Sequence, residues 1–282
     1  MLIALVSDIH GNLEALQAVL KEIDALGAED IYCLGDVVGY GPNPHECLGL
    51  VRSRCRAVVR GNHDSGAVGR LSLERFNSDG VAGLLYAQRM THPDHLRFLR
   101  HLPYLYQKGD ITLVHASPYA PKKFQYVVTE KRVERSFRHF DTSVCFIGHT
   151  HIPFLFEANR VFERQPEQGE LAYRRPESPE HPFLAVESGF SEELESDEEL
   201  KAAAKETEQP AAQSAGGNRR LIMVGSVGQP RDGSPRAAFG LFDSKTGEYS
   251  HHRVSYDIQK TVDAILKAGL PASLAKRLTR GL

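Results

Sequence analysis

Residues 1–40 read MLIALVSDIHGNLEALQAVLKEIDALGAEDIYCLGDVVGY, and the order of segments in this stretch decides the fold. Leu2–Val6 is an apolar run of strand length. The polar string SDIHGN (7–12) follows at once. Leu13, Leu16, Val19, Leu20, Ile23 and Leu26 then recur at helical spacing. Ile31–Leu34 is a second apolar run, and the glycine-rich string GDVVGYGPNP (35–44) follows it. Strand, polar turn, helix, strand is the repeating unit of a parallel sheet covered on both faces.

The pattern continues outward. Pro42–Arg52, Leu71–Arg89, Pro93–His101 and Glu130–Phe140 read as helices, and Arg56–Arg60, Ile111–Val114 and Val144–Ile147 as strands. Beyond residue 150 the character changes. Pro153–Glu163, Arg219–Val224, Ala237–Phe242 and Glu248–Tyr256 read as strands with no helix between them. Asp257–Ala268 and Pro271–Leu278 read as closing helices. The expectation is an α/β chain with a second sheet packed on the first, both in one domain spanning 1–282. Within Glu187–Glu208, nine acids stand against two lysines, and Ala-, Gln-, Ser- and Gly-rich sequence follows. Residues 187–218 are therefore expected to be an acidic, flexible insertion.

Composition excludes several classes. Thirty-four basic and 36 acidic residues give a net charge of −2, so no basic field recommends a nucleic-acid partner. No apolar run approaches the ~20 residues of a membrane-spanning helix. The first residues lack a basic leader region and read as a buried strand, so a cytoplasmic location is expected. Cys33, Cys47, Cys55 and Cys145 are scattered without a CxxC pair, which argues against a disulfide framework and a cysteine-built zinc site. The GxxxxGK[ST] phosphate loop, the GxSxG elbow and a strand-linked GxGxxG are all missing.

Chemistry concentrates in five strings: SDIHGN (7–12), LGDVVGYGPNP (34–44), RGNHD (60–64), VHASP (114–118) and IGHTH (147–151). Each follows an apolar strand, and in open α/β sheets sites form outside the carboxyl ends of strands. Any one of them alone is commonly a capped turn or a core histidine. Together they can gather Asp8, His10, Asp36, Asn62, His115, His149 and His151. Alternate side chains of an extended stretch share a face, which would pair Asp8 with His10 and His149 with His151. Gly11, Gly35, Gly61 and Gly148 stand where the chain would turn sharply. Imidazole plus carboxylate without thiolate suits Zn, Mn, Fe or Ni, and Asp36, the single acid of its loop, could bridge two ions.

The order D-x-H, G-D, G-N-H-D, H, G-H-T-H resembles that of the calcineurin-like metallophosphoesterase superfamily. The longer strings GDVVGYGPNP, GNHD, GHTHIPF and GSVGQPRDG resemble a bacterial branch of predicted phosphodiesterases related to diadenosine tetraphosphatases. The likeness covers residues 1 to about 156 and resumes near Leu221. It implies a four-layer α/β/β/α sandwich of two mixed sheets flanked by helices. It implies a dinuclear centre of two divalent ions, manganese favoured, with a bridging hydroxide as nucleophile. Asp8, His10 and His151 would hold one ion, Asn62, His115 and His149 the other, and Asp36 both. His63 would stabilise or protonate the leaving group.

Two departures matter. Ser/Thr phosphatases of the superfamily carry GDxVDRG. Here Gly39 replaces the aspartate that orients the catalytic histidine, and Tyr40 replaces the phosphate-binding arginine. Asp64 is the nearest acid to His63 in sequence. Arg231 can bind a substrate phosphate through its bidentate fork, or pair with Asp232. Aryl leaving groups, which need little protonation, are expected to be favoured. The reading is a metal-dependent hydrolase of small phosphoesters, mainly diesters, whose oligomeric state is open. The alternatives are a hydrolase of dinucleoside polyphosphates or cyclic nucleotides, and a non-catalytic metal-binding scaffold.

Overall fold

Both faces of the first strand are apolar, and the structure uses both. The computed structural model describes residues 1–158, 171–173 and 219–282, with 171–173 described by their backbone only. β1 (Leu2–Val6) sends Ile3 and Leu5 into one core and Ala4 and Val6 into another. The same division recurs in β6 (Val144–Ile147): Val144 and Phe146 face one core, Cys145 and Ile147 the next. A strand can be apolar throughout only where both faces are covered.

Among the described residues the strands form two mixed sheets. The first, of five strands, runs β11 (Tyr249–Val254), β10 (Ala237–Asp243), β1, β2 (Asp30–Cys33), β3 (Ala57–Val58). The second, of six, runs β4 (Leu105–Lys108), β5 (Ile111–Val114), β6, β9 (Arg219–Met223), β7 (Phe154–Ala158), β8 (Leu171–Tyr173). β1–β2–β3 and β5–β6–β9 are parallel, and the outer pairings of both sheets are antiparallel, apart from the β3 edge. The sheets meet through Ile3, Leu5, Leu113, Phe146, Ile222 and Phe242, among others. Each such side chain contributes about 1.5–3 kcal/mol on burial.

Helices complete the four layers. α1 (Leu13–Ala25), α2 (Pro44–Arg54), α4 (Ser78–Met90) and α5 (Pro93–His101) bury Leu16, Leu48, Leu84 and Leu99 against the outer face of the first sheet. α6 (Glu130–Phe137) buries Val133 and Phe137 against the second. α7 (Ile258–Lys267) and α8 (Ala272–Leu278) pack Ile265, Leu274 and Leu278 on Tyr40.

The expected four-layer α/β sandwich is therefore present, with one correction. The later strands do not make a sheet of their own. β10 inserts beside β1, and β9 beside β6, so each sheet mixes early and late strands. A local pattern of apolar residues identifies a strand but says nothing of its partner. The Leu71–Arg89 helix shortens to α4, preceded by a short 3₁₀ turn at Leu73–Arg75. α3 (Asn62–Ala67) begins inside RGNHD, where no helix was expected. The acidic segment 187–218 lies outside the described residues.

Candidate metal centre

Parallel strands bring their carboxyl ends to one side, and the motif loops begin there. Asp8 N–H donates to Gly35 O at 3.0 Å, His10 N–H to Asp36 O at 2.9 Å and Gly11 N–H to Val37 O at 2.9 Å, so the first two loops zip together past the ends of β1 and β2. Within the second sheet Gly148 N–H donates to His115 O at 2.8 Å, and His149 N–H ties this side to the first by donating to Asp8 Oδ2 at 3.0 Å. The loop after β9 closes the set. Val227 N–H donates to Ser7 O, Gly228 N–H to Asp8 O, and Ser226 Oγ to Asp8 O.

The pairing of Asp8 with His10 has a different cause from the one expected. Neither lies in an extended stretch. Asp8 (φ 53°), His10 (φ 50°), Asp36 (φ 53°), Tyr40 (φ 58°), His149 (φ 68°) and His151 (φ 61°) all occupy the left-handed region. Such a conformation costs a non-glycine residue on the order of 1 kcal/mol and clusters at functional sites. Left-handed kinks, rather than strand alternation, turn these side chains inward. Of the glycines, Gly11 and Gly35 have positive φ. Gly61 and Gly148 serve by close approach instead. A Cβ on Gly61 would collide with Asp36 Oδ1, and one on Gly148 with Ser7 Oγ and Asp8 Oδ2.

All seven expected ligand positions converge. Asp8, His10 and His151 offer ligand atoms within 4.8 Å of one another, as do Asp36, His115 and His149, and as do His10, Asp36 and His63. Asn62 Oδ1 lies 3.1 Å from His115 Nε2. The six Asp and His positions among the seven are at most 4% exposed, and Asn62 is half-buried.

The proton positions show why a cation fits. His10 Nδ1 lies 3.1 Å from Val38 O, His115 Nδ1 2.8 Å from Leu34 O, and His151 Nδ1 2.6 Å from Gln229 O. A carbonyl only accepts, so each Nδ1 carries the proton, and each Nε2 of a neutral ring presents a lone pair inward. Yet His10 Nε2 and His151 Nε2 are 3.1 Å apart, and Asp8 Oδ1 is 3.3 Å from His151 Nε2. Asp36 Oδ2 is 3.3 Å from His115 Nε2 and 3.7 Å from His10 Nε2. The lone pairs that His10, His151, Asp8 and Asp36 turn toward one another repel, and a cation among them makes each a ligand, whereas His115 Nε2 meets Asp36 as a donor while its ring is protonated.

Charge tells the same story. Burial holds His10, His149 and His151 well below the ordinary imidazole range, so these rings are neutral. Burial also works against a proton on His115, but Asp36 and Asp8 outweigh it and hold its pKa at about 9. Burial pushes the Asp8 carboxyl up to about 7. Burial likewise works to raise Asp36, but His115 and His63 outweigh it and hold this carboxyl well below the usual range. Without an ion, a proton on His115 offsets the two carboxylates.

No carboxylate hydrogen-bonds the His63 ring. Its Nδ1 is buried without a partner and faces Gly39, where a Cβ would overlap it. Asp64, the nearest acid in sequence, is committed elsewhere. Its Oδ2 accepts from Asp36 N–H at 2.8 Å and Gly61 N–H at 3.0 Å, and its Oδ1 from Val37 N–H at 2.9 Å and Val38 N–H at 3.4 Å. Arg231 does not pair with Asp232, which is hydrogen-bonded to Arg253. It donates to Gln229 Oε1 at 3.0 Å and sits over the Tyr40 ring.

A family model described as calcineurin-like phosphoesterase matches residues 1–153. The chain belongs to the calcineurin-like phosphoesterase family. It is 35% identical over 285 residues to the uncharacterized protein MJ0912 of Methanocaldococcus jannaschii, covering 99% of this chain and 98% of that one. Among solved structures it is similar to a metallophosphoesterase from Sphaerobacter thermophilus, with 34% identity, a TM-score of 0.72, and 100% and 99% of the two chains covered. It shares its fold with the hypothetical protein PH1004 of Pyrococcus horikoshii OT3, at 19% identity, a TM-score of 0.66 and 98% of that chain covered. The family is one of metal-dependent phosphoester hydrolases, and the Asp/His clusters here are of the kind that holds divalent metal. Among the described residues no helix is long and apolar enough to cross a membrane.

The family match ends before Arg231, and the tasks of several residues at the centre could not be read from the strings. Gln229 orients His151 through its main-chain carbonyl, an atom every residue has. Tyr126 stacks on His149 with ring centroids 4.0 Å apart. Asp64 stood within a motif, but its task is to hold the Asp36 loop.

Proposed function

We propose that the protein hydrolyses phosphodiesters at a dinuclear metal centre. Asp8, His10 and His151 would hold one ion and Asn62, His115 and His149 the other, with Asp36 available to both. The observation that carries this reading is the convergence of inward-facing lone pairs on two side-chain groups with Asp36 between them. Two divalent ions bound there supply a water nucleophile activated near neutral pH and Lewis acidity toward the phosphoryl oxygens. Asn62 and Arg231 offer N–H donors to those oxygens. Asp36 Oδ1 accepts the His63 N–H at 2.8 Å and so fixes this residue beside the centre.

His63 sets the choice of leaving group. Burial lowers its pKa to about 4, outweighing the raising pull of Asp36, and Nδ1 has no hydrogen-bond partner. At neutral pH the ring is unprotonated and a poor proton donor. General acid catalysis typically contributes about 10²–10⁴-fold, and an aryloxide does not need it. Bis-p-nitrophenyl phosphate is therefore expected to show kcat/KM at least ~10²-fold above that of phosphoserine. Equal or greater efficiency with phosphoserine would contradict this role of His63. A panel of dinucleoside polyphosphates and cyclic nucleotides, read by product analysis, places the natural substrate.

Metal binding itself is expected to depend on pH. Asp8 and His115 both carry raised pKa values, about 7 and about 9, and both must lose their protons to become ligands. Affinity for Mn²⁺ should therefore climb as pH rises through 7 and level off above 9, with protons released on binding. Calorimetry in two buffers of different ionisation enthalpy measures that release. Binding that is flat between pH 6 and 9 would show that these groups are not displaced.

A further inference from the structure

Gln229, Pro230 and Arg231 follow one another in the loop after β9, and their main chain brackets His151. Gln229 O accepts from His151 Nδ1 at 2.6 Å, and Arg231 N–H donates to His151 O at 3.3 Å. Pro230 stiffens the chain between these two contacts. The loop is anchored in turn, because Gln229 N–H donates to Ser226 Oγ and Ser226 Oγ–H to Asp8 O, each at 2.8 Å. The main chain thus serves His151 and leaves the two side chains for another task. They meet each other, with Arg231 Nη2 donating to the buried Gln229 Oε1 at 3.0 Å. The Nε–H of the same guanidinium is buried and has no partner.

The choice of partner is informative. A glutamine carbonyl accepts from a guanidinium without neutralising it, whereas a carboxylate would neutralise it. The acid next in sequence, Asp232, is occupied on both oxygens, one by Arg253 and the other by Ser234 N–H at 3.4 Å. The guanidinium carbon lies 6.0 Å from the centre of the Tyr40 ring, which is itself 4.7 Å from His10 and 4.4 Å from His63 between centroids. Arg231 therefore stands beside the candidate metal centre with its charge kept and one buried donor unused. That combination suits an oxyanion.

We propose that Gln229 is a positioning residue whose side-chain carbonyl is a neutral tether for Arg231, so that the guanidinium keeps its full charge and its unpartnered Nε–H for a phosphoryl oxygen of the substrate. The proposal rests on the phosphoesterase reading above and adds Gln229 to it. Two properties of the tether, its grip and its neutrality, can be removed one at a time. Gln229→Met keeps the length of the side chain and takes away the acceptor. Gln229→Glu keeps the shape and the acceptor and adds a charge that pairs with Arg231. Both variants retain the main-chain carbonyl that orients His151.

The test compares wild type, Gln229→Met, Gln229→Glu, Arg231→Met and the Gln229→Met, Arg231→Met double variant, all supplied with Mn²⁺. It reads turnover of bis-p-nitrophenyl phosphate, the Kd of inorganic phosphate by calorimetry, and metal content. Gln229→Met is expected to lower kcat/KM by about 3- to 10-fold, mostly through KM, and to weaken phosphate by a similar factor. Gln229→Glu should weaken phosphate by at least ~10-fold, more than Gln229→Met does, although it preserves the hydrogen bond. Metal content should stay unchanged in both. On the Arg231→Met background Gln229→Met should add less than about 2-fold, since the two side chains act as one unit. A Gln229→Glu protein equal to wild type would show that any acceptor suffices and would overturn the proposal. So would a Gln229→Met protein equal to wild type, an effect repeated in full on the Arg231→Met background, or a loss of metal. Failure of the wild type to hydrolyse any phosphoester would sink the phosphoesterase reading instead, and the phosphate Kd series would still judge the tether. A wild type that binds no phosphate would overturn the tether itself.

Discussion

Asp36→Asn is expected to lower turnover of bis-p-nitrophenyl phosphate by at least ~10³-fold, the scale at which a single group acting on transition-state charge contributes. Asp36 stands where the two groups of side chains meet. Its Oδ2 reaches toward His10 Nε2 and His115 Nε2, and its Oδ1 accepts the His63 N–H. An asparagine fills the same space but removes the negative charge and replaces one acceptor oxygen with a donor. Facing inward, that donor meets groups that want a cation, and facing outward it meets the His63 N–H. Either orientation breaks one of the two functions. Bound metal should fall below two ions per chain in the same variant. Retention of full activity, or of two ions with normal affinity, would show that Asp36 does not bridge.

The second large effect is on stability. Asp64→Ala is expected to cost about 3 kcal/mol, measured by urea unfolding of the metal-free protein, because it strips acceptors from four main-chain N–H groups. Those groups belong to residues 36, 37, 38 and 61, which form the loop after β2 and the start of α3. The carboxylate is fully buried, so water does not readily replace it. Asp64→Asn retains one acceptor oxygen and should lose less. The loop freed in Asp64→Ala carries Asp36, so metal affinity should drop alongside stability. A change below about 0.5 kcal/mol, typical of a neutral surface substitution, would refute this role.

Much of the architecture could be read from residue order. Leu2–Val6, Ile111–Val114 and Val144–Ile147 are strands as expected, because short, largely apolar runs between polar strings have few alternatives. Pro93–His101 is a helix with proline in its first turn. Strand partnership was not legible. Nothing in Ala237–Asp243 indicates that it pairs with Leu2–Val6, more than 230 residues away, rather than with another late strand. The edge strand Leu105–Lys108 escaped because three of its four residues are exposed and leave no apolar pattern.

The candidate site was legible as a set of residues but not as a mechanism of assembly. The polar strings named Asp8, His10, Asp36, Asn62, His63, His115, His149 and His151, and the structure brings all eight together. The left-handed kinks that aim them were hidden, because Asp and His adopt them only under tertiary constraint. The place of Asp64 was hidden too. Sequence showed it only as the acid nearest His63, whereas the helix that starts at Asn62 turns it toward the Asp36 loop. Tyr126 sits in an aperiodic stretch where only three-dimensional contact gives it meaning.

The central claim is that these residues hold two ions with Asp36 between them. Anomalous diffraction from crystals grown with Mn²⁺ tests it most directly. The account predicts two peaks roughly 3.5–4 Å apart, one bounded by Asp8, His10 and His151 and the other by Asn62, His115 and His149, with Asp36 touching both. A single peak, or no peak within these side chains at saturating Mn²⁺, would contradict it.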